Sequence, residues 1–394
     1  MLSLSSCSMA NASLPSFPIF RAADHLNDVV DAIEKFDNDG HPRLIHCVDG
    51  FSGAGGITKE YERYGANVAS FDIARDNDMQ NLLTKNGFYF ILSLVLRIER
   101  WGSMPNGFPC SNFVYMSSNI HKRTKKKPLG NLDNPLVRQC NIMAENWSIV
   151  LTIAHLRDVL VVLEQPGSSR LFDLPFFATF LKRFKWHRIW TWMAEFNCVI
   201  PKPTCLWANY KEAKQLKRTW SRQRSRARAA RLRSDKCISK STIKRALLWA
   251  RSRRAKTWSD GKWVTGGSHL ADSGAYTVSF CRAVWRSWSS ARGHFDRPRT
   301  PQKKLDRATY LNAIASVGFS PNVKSHVALP VNDPIDVSDS DDDLPLGADA
   351  TSMQHTCPCG CGSKVSCDKY VAQHATDRTT RMQAALRLIH QAPE

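Results

Sequence analysis

The chain has 394 residues, 43% of them hydrophobic, and a formal net charge of +20. That is enough apolar material for a real core and enough length for one large domain or two ordinary ones. The charge favours a polyanionic partner, with nucleic acid the default, and the longest apolar runs, FYFILSLVL and VLVVL, are too short to span a bilayer.

Residues 1–40 read as a weakly patterned N-terminal extension. Over 41–210, strand-like and helix-like signals alternate. LIHCV, 44–48, predicts a buried strand, and ITKEYERY, 57–64, a helix that stops at Gly65. NVASFDI, 67–73, predicts a second strand and FYFILSLVLRIER, 88–100, a helix. WGSMPN, 101–106, is polar and holds Pro105, which argues against a strand there. A long helix follows over 136–158, then the strand VLVVLE, 159–164. The alternation predicts an α/β core: a mainly parallel, Rossmann-like sheet flanked by helices.

Residues 211–261 read as a basic insert. Its 217–256 portion holds sixteen Lys or Arg against one acid, Asp235. Arg222, Arg224, Arg226, Arg228, Arg231 and Arg233 are its candidate phosphate contacts. Trp220, Trp249 and Trp258 are interleaved with the charge and suit base stacking, or equally a small core. A solvated linker or a nuclear-import signal reads as well from the same residues. Residues 262–290 return to globular character, and 291–394 read as a largely disordered tail.

Within that tail, PIDVSDSDDDLP, 334–345, resembles a SUMO-interacting motif, and equally a solvated acidic linker. Cys357, Cys359, Cys361, Cys367, His355 and His374 are zinc-type ligands. Alternate thiolates strain a tetrahedral site, so no metal is expected. The twelve cysteines show no regular pairing, and residues 1–20 lack a secretory pattern. An intracellular, nuclear chain with reduced thiols is therefore expected, and nothing sets its oligomeric state.

The most informative stretch is VDGFSGAGGITKEYERYGANVASFDIARD, 48–76. A strand runs into a glycine loop and then a helix, which presents backbone N–H groups to a nucleotide-like ligand. Asp72 ends the next strand, nineteen residues after Gly53, where an acid meets a ribose hydroxyl in such folds. Asp49, Phe51, Ser52, Gly53, Gly55, Gly56 and Asp72 are the candidate cofactor residues.

DGFSGAGG, 49–56, closely resembles the D-x-F-S-G-x-G-G motif of cytosine-C5 DNA methyltransferases. NGFPCSNFVYM, 106–116, resembles that family's G-F-P-C-Q-x-F loop, and VVLEQPGSS, 161–169, its apolar strand ending in Glu-Asn-Val. The resemblance implies a class I fold, S-adenosyl-L-methionine as cofactor, DNA as partner, Cys110 as nucleophile and Glu164 as the carboxyl group at the base. Weaker matches are PKPTCLWAN, 201–209, and the turn at Gly274, Ala275 and Tyr276. Ser111, Gln165 and Pro166 depart from the family pattern, and no clear arginine pair follows Glu164.

The chemistry needs these residue types. Cytosine C5 is a poor nucleophile until a thiolate adds at C6, and a carboxyl group at N3 stabilises the charge that builds. The base must leave the helix stack to reach such a site. Alternatives stay open: another nucleotide cofactor at the glycine loop, Cys110 as a structural thiol, and Glu164 as a cap of the PGSS turn. A non-catalytic nucleic-acid-binding protein, or a methyltransferase of RNA or protein, would use the same scaffold. HKRTKKK, 121–127, reads as a solvated basic loop, with a DNA-backbone contact as the minority reading.

Overall fold

A computed structural model describes residues 18–41, 45–198, 202–219, 257–259, 262–264, 275–294 and 305–319. Its first helix, α1 (Leu26–Asn38), buries Leu26, Val29, Val30 and Ile33, the i, i+3, i+4, i+7 stripe of an amphipathic helix. Strand β1 (Ile45–Gly50), helix α2 (Gly56–Arg63) and strand β2 (Val68–Phe71) follow. Helix α3 (Lys85–Leu96) starts at Thr84, whose side chain accepts from Gly87 N, and gives way to strand β3 (Ile98–Asn106).

Next come the short helix α4 (Ser118–His121), helix α5 (Pro135–Leu156) and strand β4 (Leu160–Pro166). Asn134 caps α5 by accepting from Leu136 N, and Pro135 takes the first turn, where a missing N–H costs nothing. Helix α6 (Pro175–Arg183), strand β5 (His187–Trp192), strand β6 (Pro203–Ala208) and a 3-10 turn (Lys211–Leu216) complete this run. A hairpin, β7 (Thr257–Ser259) with β8 (Lys262–Val264), precedes helices α7 (Val278–His294) and α8 (Arg307–Ser316).

The six-stranded sheet has the order β2-β1-β3-β4-β6-β5. The first four strands are parallel, while β6 runs antiparallel to both β4 and β5. Alternate residues of one strand enter different cores. Val161 and Leu163 pack with α1, α3, α5, α6 and α8, while Leu160 and Val162 pack with α2, α7 and the 3-10 turn. A strand buried on both faces reads as a continuous apolar run, which is why VLVVL is one. The fold is thus α/β, a mostly parallel sheet flanked by helices. Among the described residues no helix is long and apolar enough to cross a membrane.

Three expectations are corrected. The helix expected over 88–100 ends at Leu96, and the polar WGSMPN forms the inner half of a central strand. Its polar groups are satisfied internally: Ser103 Oγ meets Tyr61 Oη at 3.0 Å, and Asn106 Oδ1 accepts from Trp147 Nε1 at 3.2 Å. Pro105 brings no N–H, but Asn106 Nδ2 donates to the carbonyl of Val162, the β4 residue in register with Pro105. The core also exceeds the expected 41–210 at both ends. Buried Asn146 bonds Ala22 N and the carbonyls of Phe20 and Leu82, while buried Arg157 bonds Asp37 of α1 and Tyr310 of α8.

Candidate active site

Strand β1 has β2 on one side and β3 on the other. The chain leaves it in one direction and returns on the opposite flank, which opens a crevice at its carboxyl end. The glycine loop occupies that crevice. Phe51, Gly53 and Gly55 all have positive φ, at 56°, 47° and 69°. Glycine accepts this readily, whereas Phe51 is held in it by packing against Phe71, Phe108 and Trp147.

Asp72, just past β2, accepts from Gly53 N at 2.7 Å and from Ala74 N at 2.9 Å. Asp49 is buried under the loop and accepts from Thr58 N at 3.1 Å and Thr58 Oγ1 at 2.7 Å. Burial pushes its carboxyl up to about 6, against the pull of those Thr58 bonds. Arg75 Nε donates to Ser52 Oγ at 3.0 Å, and Ile73, beside Asp72, is 40% exposed. Gly56 opens α2. Neither Ile73 nor Arg75 stood out in the sequence.

The loop after β3 carries Cys110. Gly107 N donates to Gly50 O at 3.1 Å, tying the two loops together. Phe108 is buried and Cys110 only partly so, while its carbonyl accepts from Phe113 N and Val114 N. Burial pushes the Cys110 thiol up. The Lys202 ammonium acts against burial, and Glu164 adds to it.

The basic loop behind Cys110 is only half solvated. Lys122, Lys125, Lys126 and Lys127 are exposed, but His121 and Arg123 are buried. His121 Nε2 lies 2.9 Å from Val114 O, and Arg123 donates to Asn112 O, Pro128 O and Asn141 Oδ1. These two side chains clamp the Cys110 loop from behind. Burial brings Arg123 down to about 10.

Glu164, near the end of β4, is buried. Lys202 Nζ stands 3.2 Å from its Oε1, and Tyr276 Oη donates to its Oε2 at 2.9 Å. The lysine contact is an ion pair off the hydrogen-bonding direction, so Oε1 lacks an aligned donor. Glu164 does not cap the PGSS turn. That turn is held by Ser169 N to Pro166 O and by Ser169 Oγ to Gln165 Oε1, and Gln165 Nε2 donates to Phe108 O. Gln165 therefore joins β4 to the Cys110 loop.

Tyr276 is the common neighbour. A Cβ on Gly107 would fall 2.4 Å from its hydroxyl, and one on Gly56 would fall 3.3 Å from its carbonyl oxygen. The glycine loop, the Cys110 loop and Glu164 thus meet at the carboxyl ends of β1, β3 and β4, closed by Tyr276 and Lys202. Both closing residues lie in the weaker sequence blocks. In the block of Lys202, Asn209 also works structurally, accepting from Val161 N and donating to Val159 O.

Gly274 lies outside the described residues, as do Arg222, Arg224, Arg226, Arg228, Arg231 and Arg233, the acidic 334–345 stretch and the Cys- and His-bearing tail. Among the described residues no group of three or more His, Cys, Asp or Glu side chains is placed to hold a metal ion. No protein-family model and no curated protein matches the chain.

Proposed function

We propose that this protein is an S-adenosyl-L-methionine-dependent methyltransferase acting at C5 of cytosine in DNA, on a Rossmann-like class I scaffold. One observation carries the reading: the Gly53 loop, Cys110 and Glu164 converge at the carboxyl ends of three neighbouring parallel strands. The glycine loop suits the cofactor. Its backbone turns through left-handed residues, space above Gly53 is open, and an acid and an exposed apolar side chain, Asp72 and Ile73, flank it. When bound, the cofactor supplies an electrophilic methyl group.

The chain's own residues supply the rest. Cys110 adds to C6 as a thiolate, and the Lys202 charge favours that form over the neutral thiol. Glu164 meets the base at N3, held from two sides by Lys202 and Tyr276. Lys202 brings a cation to Glu164 in the absence of a clear arginine pair. Asp72 takes the ribose and the Gly53–Gly56 loop the amino-acid end.

A second reading, a non-catalytic nucleic-acid-binding protein on the same scaffold, draws support from one observation: burial favours the protonated Cys110 thiol. A 5-fluorocytosine duplex with S-adenosyl-L-methionine separates the two. Wild type should form a covalent adduct and Cys110→Ser none. Cofactor and duplex binding without any adduct would favour the second reading.

A further inference from the structure

Away from this crevice, a groove of about 580 Å³ runs between α7 and the 3-10 turn. It is lined by Lys217, Arg218, Arg282 and Arg286 with a single acid, Glu195. Phe196 and Ala283 are its apolar lining. Small-molecule pockets of this size are mostly apolar, so this lining does not suit a cofactor. Two of the cations are already engaged. Arg282 pairs with Glu60 at 2.8 Å, and Arg218 donates to the carbonyls of Gln215 and Lys217 while lying over Phe196. Lys217 and Arg286 are exposed and make no ion pair among the described residues.

The groove is joined to chemistry at one end and to charge at the other. Its α7 wall begins two residues after Tyr276, where Asn197 Nδ2 donates to Ser279 Oγ at 2.8 Å. Its other wall carries Lys217 and Arg218, the first two of the sixteen basic residues in 217–256. The start of α7 adds the positive end of a 17-residue helix.

We propose that this groove takes the phosphodiester backbone of the nucleic acid, with Lys217 and Arg286 as its phosphate contacts. The inference rests on the DNA reading above and adds a location to it. It leads the backbone from Lys217 along α7 towards Tyr276 and Glu164. The chain's own acidic stretch, 334–345, is the competing occupant by charge alone. Lys217 and Arg218 continue in sequence into the basic run to 256, which favours the nucleic acid, because a long polyanion is neutralised by many cations together.

The test is duplex binding by the full chain, followed by fluorescence anisotropy between 50 and 200 mM salt, in the range where counterion release is read. The Lys217→Gln/Arg286→Gln variant should flatten the log–log salt slope by about 1.8, at roughly 0.9 per phosphate lost. Lys182→Gln/Lys185→Gln, an exposed pair on and just after α6, removes the same charge and should leave the slope unchanged. Equal slopes for all three proteins, or equal flattening by both variants, would overturn the groove while leaving the DNA reading in place. Failure of wild type to bind duplex at all would sink the DNA reading itself and the groove with it. A synthetic 334–345 peptide that binds wild type but not the groove variant, with the DNA slope unmoved, would reassign the groove to the chain's own tail.

Discussion

The hydroxyl of Tyr276 donates to Oε2 of Glu164 at 2.9 Å, across 112 residues of chain. The bond aims the carboxylate and joins the segment leading into α7 to the end of β4. Tyr276→Phe removes one hydrogen bond to a charged acceptor, worth about 1.5–3 kcal/mol. We expect stability to fall by about that much in urea titration. Adduct formation on the fluorinated duplex should slow while cofactor affinity, read by calorimetry, stays close to wild type. An unchanged adduct rate would remove Tyr276 from the site.

Lys202 faces Glu164 in a buried pair, so deleting it leaves an uncompensated carboxylate. Lys202→Met should cost about 3–5 kcal/mol of stability, and Lys202→Arg much less. The lysine is held above its ordinary 10.5 because the Glu164 and Cys110 charges outweigh its burial. Its stabilisation is therefore full below pH 10.5 and is lost only as pH rises through the higher folded value. The second readout is the thiol. Loss of the ammonium should move the alkaline rise of Cys110 alkylation to higher pH, a shift that a purely structural role would not produce.

Asp49 is the opposite case. Its carboxyl sits at about 6 in the fold against an ordinary 3.8. The folded state therefore binds a proton more tightly than the unfolded chain. The associated stability is full below pH 3.8 and is lost as pH rises through about 6. The difference amounts to roughly 3 kcal/mol. Asp49→Asn removes the dependence. The stability of the variant relative to wild type should rise by about that amount between pH 4 and pH 7. Equal pH profiles for the two proteins would show that Asp49 is not held in this way.

Asp72 accepts two backbone N–H groups and stands at the lip of the glycine loop. Asp72→Ala should weaken S-adenosyl-L-methionine binding about ten- to a hundredfold, the loss of one charge-assisted hydrogen bond. Calorimetry on the folded variant reads this directly. Unchanged affinity would take Asp72 out of the cofactor contact.

The glycine loop, the order of Cys110 and Glu164, and the strand VLVVLE were legible because backbone demands and two-sided burial leave unmistakable residue types. Strand β3 was not. Its polar residues are paired with Tyr61, Trp147 and β4, partners that no local pattern reveals. Lys202 and Tyr276 were visible as residues but not as partners of Glu164, since they are brought to it by the antiparallel β6, which Lys202 precedes, and by α7 far along the chain, which Tyr276 precedes. Helix α1 carries a plain amphipathic stripe, Leu26, Val29, Val30 and Ile33, although residues 1–40 as a whole read as weakly patterned. In HKRTKKK, composition argued for solvent, yet His121 and Arg123 turn inward to the Val114 and Asn112 carbonyls of the Cys110 loop.

Helix α7 has one more consequence, for synthesis. Phe280, Cys281, Val284 and Trp288 cover the same sheet face as Ile57, Tyr61, Leu160 and Val162. A nascent chain still short of α7 has already emitted the six strands of the main sheet, with α2 and the 3-10 turn, but leaves that face only partly covered. Part of its hydrophobic side is exposed until the ribosome has passed His294, and the long basic segment must be translated in between. Translational pausing within 217–256 would prolong that exposure, making the half-covered sheet the natural client for a chaperone and the natural seed for aggregation.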